Sequence, residues 1–431
     1  MDRREFLGAA AVTGAATLTP GFSREAGSQV APVVANASAS WEEVRGLFDL
    51  KPGFVNMASF YLASHPKPVR DAIERHRRGL DQDSHSYIEE NVGPLERAVR
   101  EQASKYMQVD ADELAFTDST TMGLGLLYSG MKLKPGQEIL TDTRDHIVTR
   151  LAAQEGAERG GASVRRAAFY ADPAKVSVDE VVNNVRRNLR DNTRLVAMTW
   201  VHSGTGAKMP VSHVAEVVRT HNRGKSPEER TLLAVDGVHG FGIEDVAIPS
   251  LGADFFIAGT HKWLTGPRGT GLVWGLKDAW PFVRATIPTF DPMWRDGPVE
   301  QMPAGAWHTP GGFHSFEHRW AVADAFRFHD ALGKSRVAKR IHELNSLAKA
   351  EMSKMPKVRM HTPLSPDLSA GIIAFEVQGM TPNQVVRKLH EQRIIASVTP
   401  GFYEPNLARV APSLLTTEPD VARTVRAIAA L

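Results

Sequence analysis

The chain has 431 residues, 42% apolar and 23% charged, which suits a globular protein with more than one hydrophobic core. A formal net charge of +2 without a Lys/Arg run gives no nucleic-acid footprint, and no internal apolar run is long enough to span a bilayer. The absence of cysteine excludes disulfides, thiolate metal sites and a cysteine nucleophile.

The N-terminus contains Arg3-Arg4-Glu5-Phe6-Leu7, a twin-arginine pattern R-R-x-F-L, ahead of a weakly apolar run and Pro20. Such a segment is a cleavable export signal rather than part of the fold. Residues 1–40 are therefore expected to be signal peptide and disordered linker. The mature protein is expected in the bacterial periplasm or outside the cell, delivered by the twin-arginine translocation machinery.

Residues 41–312 read as an N-terminal arm and a large domain. The arm carries a helical pattern from Pro66 to Leu80. Strands follow near Leu114–Phe116, Glu138–Thr141, Ser163–Phe169, Arg194–Val201, Thr231–Asp236, Asp254–Gly259 and Thr270–Trp274, with helical periods at Val178–Leu189 and Val211–His221 between them. This alternation predicts an α/β fold with a mostly parallel seven-stranded sheet covered by helices on both faces. Residues 313–431 read as a smaller α+β domain: a long helical run from Glu317 to Lys354, a strand at Gly371–Val377, a helix over Thr381–Gln392, a strand at Ile394–Val398, and a terminal helix from Glu418.

The chemistry-bearing residues fall at strand ends. Lys262 follows the apolar run Phe255–Ala258 and precedes Trp263-Leu264. Lysine is by default a solvated charge, but an ammonium in drier surroundings loses its proton more readily and becomes a nucleophile. Asp236 closes the strand Leu232–Val235 with His239 three residues on. A turn-capping aspartate and a satisfied core histidine are the bland readings. The Thr117–Gly123 segment joins a strand to a helix, so Thr120 and Thr121 would help a helix N-terminus hold a phosphate, or simply cap the helix. His146 lies just past another strand, and Ser203 at the end of a further one. Together these residues form the set that a pyridoxal 5'-phosphate (PLP) enzyme needs: a Schiff-base lysine, an acid for the ring nitrogen, a stacking residue and a phosphate cradle. Arg409 has the planar fork that grips a substrate α-carboxylate, or else a surface salt bridge. The histidine-dense run Trp307–His318 matches no common metal spacing and is expected to shape the substrate pocket, along with Phe60-Tyr61 and His85–Tyr87.

From Asn56 to its end the chain resembles the class V aminotransferases among fold-type-I PLP-dependent transferases, in particular the isopenicillin N epimerase-like branch. The resemblance rests on Gly259-Thr260-His261-Lys262, Asp236-Gly237-Val238-His239, Thr120-Thr121, His202-Ser203-Gly204-Thr205-Gly206 and Arg409-Val410-Ala411. It implies PLP on Lys262, with Asp236 on the ring nitrogen, His239 on the ring hydroxyl, His146 stacked on the ring and Ser203 at its edge. His261, Thr120 and Thr121 would hold the phosphate and Arg409 the substrate. It further implies a homodimer with active sites at the interface, where Thr309 reaches the partner's phosphate; the glycine usual before this threonine is His308 here. An export signal on this fold is similar to that of periplasmic siderophore-tailoring PLP enzymes. The expected reaction is amino-group transfer or deamination of an amino acid, free or carried on a peptide. Epimerisation, C–S lysis and oxygen-dependent oxidation are the alternatives, and a non-catalytic PLP-binding module the remote one. Desulfuration by the usual route drops out for want of a cysteine.

Overall fold

The structure is a computed structural model that describes residues 36–293, 298–401 and 405–431, all within one compact unit. The twin-arginine segment lies outside the described residues. A two-residue strand, β1 (Val55–Asn56), opens the chain's pairing, followed by the helices Lys67–Gln82 and Ser84–Met107. Seven strands then form one sheet: β2 (Leu114–Thr117), β3 (Glu138–Asp142), β4 (Ser163–Ala167), β5 (Thr193–Thr199), β6 (Leu232–Asp236), β7 (Phe255–Gly259) and β8 (Gly271–Gly275). Their order is β2-β8-β7-β6-β5-β3-β4, and only β8 runs antiparallel to its neighbours.

Every residue of β2, β3, β5, β6, β7 and β8 is buried. That is why these segments read as unbroken apolar runs, as strands covered on both faces do. Alternate side chains feed two cores: Val196, Leu233, Val235 and Phe256 pack on one face, and Leu195, Ala197, Leu232 and Ile257 on the other. The second core contains the helices Thr120–Gly130 and Ile147–Gly160, whose N-termini follow β2 and β3.

Beyond the sheet, the helical run expected over 317–354 is two helices, Phe316–Leu332 and Lys334–Met352. They are separated by Gly333 at φ 85°, a backbone conformation that ends a helix and that periodicity alone does not reveal. The C-terminal strands are β9 (Val358–Met360), β10 (Ile373–Val377), β11 (Ile394–Ile395), β12 (Ser397–Val398) and β13 (Ala408–Val410). The single strand expected over 394–398 therefore divides. β11 pairs in parallel with β1, while β12 joins an antiparallel sheet of order β12-β13-β10-β9. Met57 continues the junction, with its N–H on Ile395 O at 2.9 Å and its carbonyl accepting from Ala411 N at 2.8 Å. The arm is thus stitched into the C-terminal sheet next to Arg409, just before Phe60.

A close helix contact fixes two N-termini at once. A Cβ on Gly156 would lie 2.1 Å from the Tyr128 carbonyl oxygen, which joins the Ile147–Gly160 helix to the Thr120–Gly130 helix. Glycine to alanine in a helix normally stabilises by about 1 kcal/mol. Here Gly156→Ala is expected to destabilise by about 1–3 kcal/mol through overpacking, read as a lower urea midpoint at unchanged m-value.

Candidate active site

The carboxyl ends of β2, β3, β5, β6 and β7 point to one side, the crevice where open α/β sheets bind ligands. A cavity of about 200 Å³ lies there, lined by Thr120 and Thr121 after β2, His146 after β3, Ser203 after β5, Asp236 and His239 at β6, and Lys262 after β7. Phe60 and Tyr61 from the arm and Arg409 from β13 complete its wall. The structure thus gathers into one space nearly all the site residues expected from sequence.

Lys262 sits in a tight return between β7 and β8, closed by Thr260 N–H on Thr270 O at 3.1 Å and Gly266 N–H on Thr260 O at 2.9 Å. Its Nζ lies 3.2 Å from His239 Nε2. The Trp263 indole, which can only donate, meets His239 Nδ1 at 3.4 Å. The neutral imidazole therefore carries its proton on Nε2, which meets the lone pair of Lys262 once the ammonium has given up its proton. Burial lowers the Lys262 amine from its ordinary 10.5 to about 8, with the Asp236 carboxylate opposing the shift and Arg409 adding to it. Burial also raises Asp236 to about 6, against the Val238 N–H, which donates to Oδ1 at 3.2 Å, and the charge of Lys262.

His239 and His146 are neutral. His239 is pushed well below its usual value by burial, then by Lys262 and Arg409. His146 falls to about 4 from burial, Lys262 and Arg409; it caps its helix by accepting the Val148 N–H on Nδ1 at 3.2 Å. Ser119 caps the Thr120–Gly130 helix through Met122 N–H at 3.1 Å. The first-turn amides of Thr120 and Thr121 have no intrahelical acceptor. The Thr120 hydroxyl accepts the Gly259 N–H at 2.7 Å, which leaves its own proton to donate. His261 packs beside Gly259 and Thr120, with Nδ1 3.0 Å from Thr270 O. Because that contact uses the Nδ1 proton, Nε2 donates to an anion only when the ring is cationic.

Arg409 is buried and pinned: Nη1 donates to Ser203 O at 2.8 Å and Oγ at 2.9 Å, and Nη2 to Val398 O at 2.9 Å, with the guanidinium 4.9 Å from the Phe60 ring centre. Ser203 thus orients the arginine. Thr309 lies outside this chain's cavity. Its hydroxyl donates to Gly305 O at 2.8 Å and accepts from Phe116 N–H at 3.1 Å and Arg100 at 3.2 Å. The Trp307–His318 run likewise gives the cavity no residue. His308 stacks on Trp280 at 4.3 Å, His314 sits 3.6 Å from Glu96, and His318 bonds Arg268 O at 2.9 Å. Tyr87 also packs elsewhere, 3.0 Å from His76 Nδ1.

One buried network escaped the sequence. Asp145 accepts from the Thr141 hydroxyl, from Asp142 N–H at 2.9 Å and from Thr199 N–H at 3.3 Å, and faces His202 Nε2 at 3.7 Å. His202 Nδ1 in turn meets Tyr170 OH at 2.5 Å. The one available sign was an acid directly before His146 at a strand end.

Residues 63–411 match the family model Aminotransferase class-V, and the chain belongs to that family. It is 26% identical over 406 residues to isopenicillin N epimerase of Amycolatopsis lactamdurans, covering 91% of this chain and 98% of that one. The Streptomyces clavuligerus isopenicillin N epimerase is also 26% identical, over 92% and 99% of the two chains. A probable cysteine desulfurase of Halalkalibacterium halodurans is 22% identical over 80% and 85%. The fold matches the C-DES structure in which glycine is covalently linked to the PLP cofactor, at TM-score 0.78 and 19% identity over 91% of this chain and 99% of that one.

Class V aminotransferases are PLP-dependent enzymes, and this chain is one of them. Its residues fit the cofactor. A buried carboxylate raised by desolvation calls for a cationic partner, which a protonated ring nitrogen supplies to Asp236. His239 Nε2–H suits the ring oxygen, the neutral His146 ring the aromatic face, and the first-turn amides with Thr120 and Thr121 the phosphate, to which His261 would add a donor only as a cation. Lys262 would carry the covalent link. Capture of PLP by cofactor-free protein, fixed with borohydride, is therefore expected to speed up about tenfold per pH unit below pH 8 and to level off above it. Asp236→Asn is expected to move this midpoint lower, because the carboxylate stabilises the ammonium; a rate that still climbs at pH 10 would show an ordinary lysine.

Proposed function

We propose that this protein transfers or removes the amino group of an amino acid, free or carried on a peptide, with Lys262 as the proton carrier. The observation that supports this reading is the buried amine of Lys262, 3.2 Å from His239 Nε2 in a cavity that also holds Asp236 and Arg409. When bound, the cofactor supplies an electron sink for the pair of electrons left on the substrate α-carbon. Asp236 keeps the ring nitrogen protonated. Lys262, released by the substrate amine, would take the α-proton at Nζ and pass it to the cofactor side rather than back to the α-carbon. Its lowered proton affinity suits that exchange near neutral pH. Arg409, already oriented by Ser203 and Val398, meets the substrate carboxylate.

The likeness to cysteine desulfurases does not carry their usual route here, since the chain has no cysteine to act as nucleophile. The near full-length match to isopenicillin N epimerases favours epimerisation as the second reading, in which the α-proton returns to the opposite face and the amine stays.

The deciding experiment is an amino-acid panel incubated with and without an α-keto acid, in air and under nitrogen. Transfer predicts a new amino acid that requires the keto acid. Inversion of the substrate without a keto acid would replace transfer by epimerisation, and ammonia release with oxygen uptake would replace it by oxidation. For the substrate contact, Arg409→Lys keeps the charge and loses the fork, and is expected to raise KM for carboxylate substrates by ~10–100-fold. KM for an amine without a carboxylate should stay nearly constant; an equal change for both would remove Arg409 from substrate binding.

A further inference from the structure

The cavity does not end at Arg144 and His202. Both residues also line a second groove of about 680 Å³. A space of that size suits a drug-sized ligand, well beyond a free amino acid. Its walls are the first turn of the Ile147–Gly160 helix, the Ala171–Pro173 loop after β4, and Arg359, His361 and Glu376 from the β9–β10 side.

The groove holds four guanidinium groups, Arg144, Arg150, Arg166 and Arg359. Arg144 donates to Tyr170 O at 2.7 Å and Ala171 O at 2.6 Å, and lies 4.8 Å from the Tyr170 ring centre. Those carbonyls orient it without cancelling its charge. Arg166 donates to Thr143 O at 2.6 Å, again a carbonyl. Arg150 is half-buried, and its side chain makes no hydrogen bond or ion pair with a described residue. It also stands in the first turn of its helix, where the dipole disfavours a cation. Nothing in its own surroundings therefore stabilises a cation there.

The acids of the groove are engaged. Asp145 belongs to the His202 network, Glu376 is held by His361 at 2.8 Å and Arg359 at 3.8 Å, and Asp172 accepts the Ala174 N–H at 3.0 Å. The guanidinium groups of Arg144, Arg150 and Arg166 have no described carboxylate oxygen within 4.0 Å. Three forks without a carboxylate partner around a large groove that shares Arg144 and His202 with the cavity are a site for carboxylates.

We propose that the substrate is an acidic peptide: its reacting residue enters the cavity while its remaining carboxylates lie along Arg144, Arg150 and Arg166. This deepens the proposed function and rests on the cavity being the reacting site. The test is calorimetric titration of the PLP-loaded protein with tetraglutamate, free glutamate and tetraglutamine. Tetraglutamate is expected to bind at least ~10-fold more tightly than either of the others, and less tightly as salt increases. The double variant Arg150→Gln/Arg166→Gln should lose that advantage while keeping the visible absorption of borohydride-fixable PLP. Tetraglutamate bound no more tightly than glutamate or tetraglutamine, or equally well by the double variant, overturns the groove. Colourless protein that takes up no PLP faults the cofactor reading instead, and the tetraglutamate titration still decides the groove.

Discussion

Everything at this site follows from burying an acid and an amine in one small space. Desolvation disfavours the charge on Asp236 and on Lys262 alike, and each lends the other part of its compensation. What is left is a lysine that gives up its proton near neutrality and a carboxylate in want of a permanent cation. Neither property belongs to the residues by type. Both come from the dry ends of fully buried strands.

The sheet makes that burial possible. β6 and β7 are parallel neighbours, with Asp236 in register with Ile257, so the acid and the lysine turn emerge on the same side. β8 then runs back against β7, and the Thr260–Thr270 contacts that close this return also hold Lys262 in place. The helices after β2 and β3 bring backbone N–H groups and a neutral histidine to the same crevice, locked together at Gly156. Long-range stitching through Met57 places the aromatic arm beside Arg409, so the substrate end of the cavity is a product of residues far apart in sequence.

How much of this was legible from residue order depends on where each signal lives. The seven strands were legible because both faces are covered and the sequence stays apolar throughout. Asp236, His239, Lys262 and His146 were legible because polar residues at the ends of such runs stand out. The break at Gly333 was hidden, since apolar periodicity passes through one glycine unchanged. The division of 394–398 was hidden as well, because the partner of β11 lies more than three hundred residues earlier. Histidine density misled in Trp307–His318. There the rings are absorbed by Trp280, by Glu96 and by backbone carbonyls, contacts with no sequence period.

The least legible part joins the cavity to the groove. The Tyr170 phenol is held neutral, pushed well above its ordinary value by burial, and shares a hydrogen bond with His202 Nδ1 at 2.5 Å. The other ring nitrogen of His202, Nε2, faces Asp145 at 3.7 Å. Asp145 stays ionised despite its burial, because His202, Thr141 and Thr199 together outweigh desolvation. The wall that His202 presents to both spaces is thus held between the Tyr170 hydroxyl and the Asp145 carboxylate. A cofactor common to a whole family leaves selection among substrates to such walls. In this chain the arginines beyond that wall give the groove a sign of charge that the cofactor site alone does not determine.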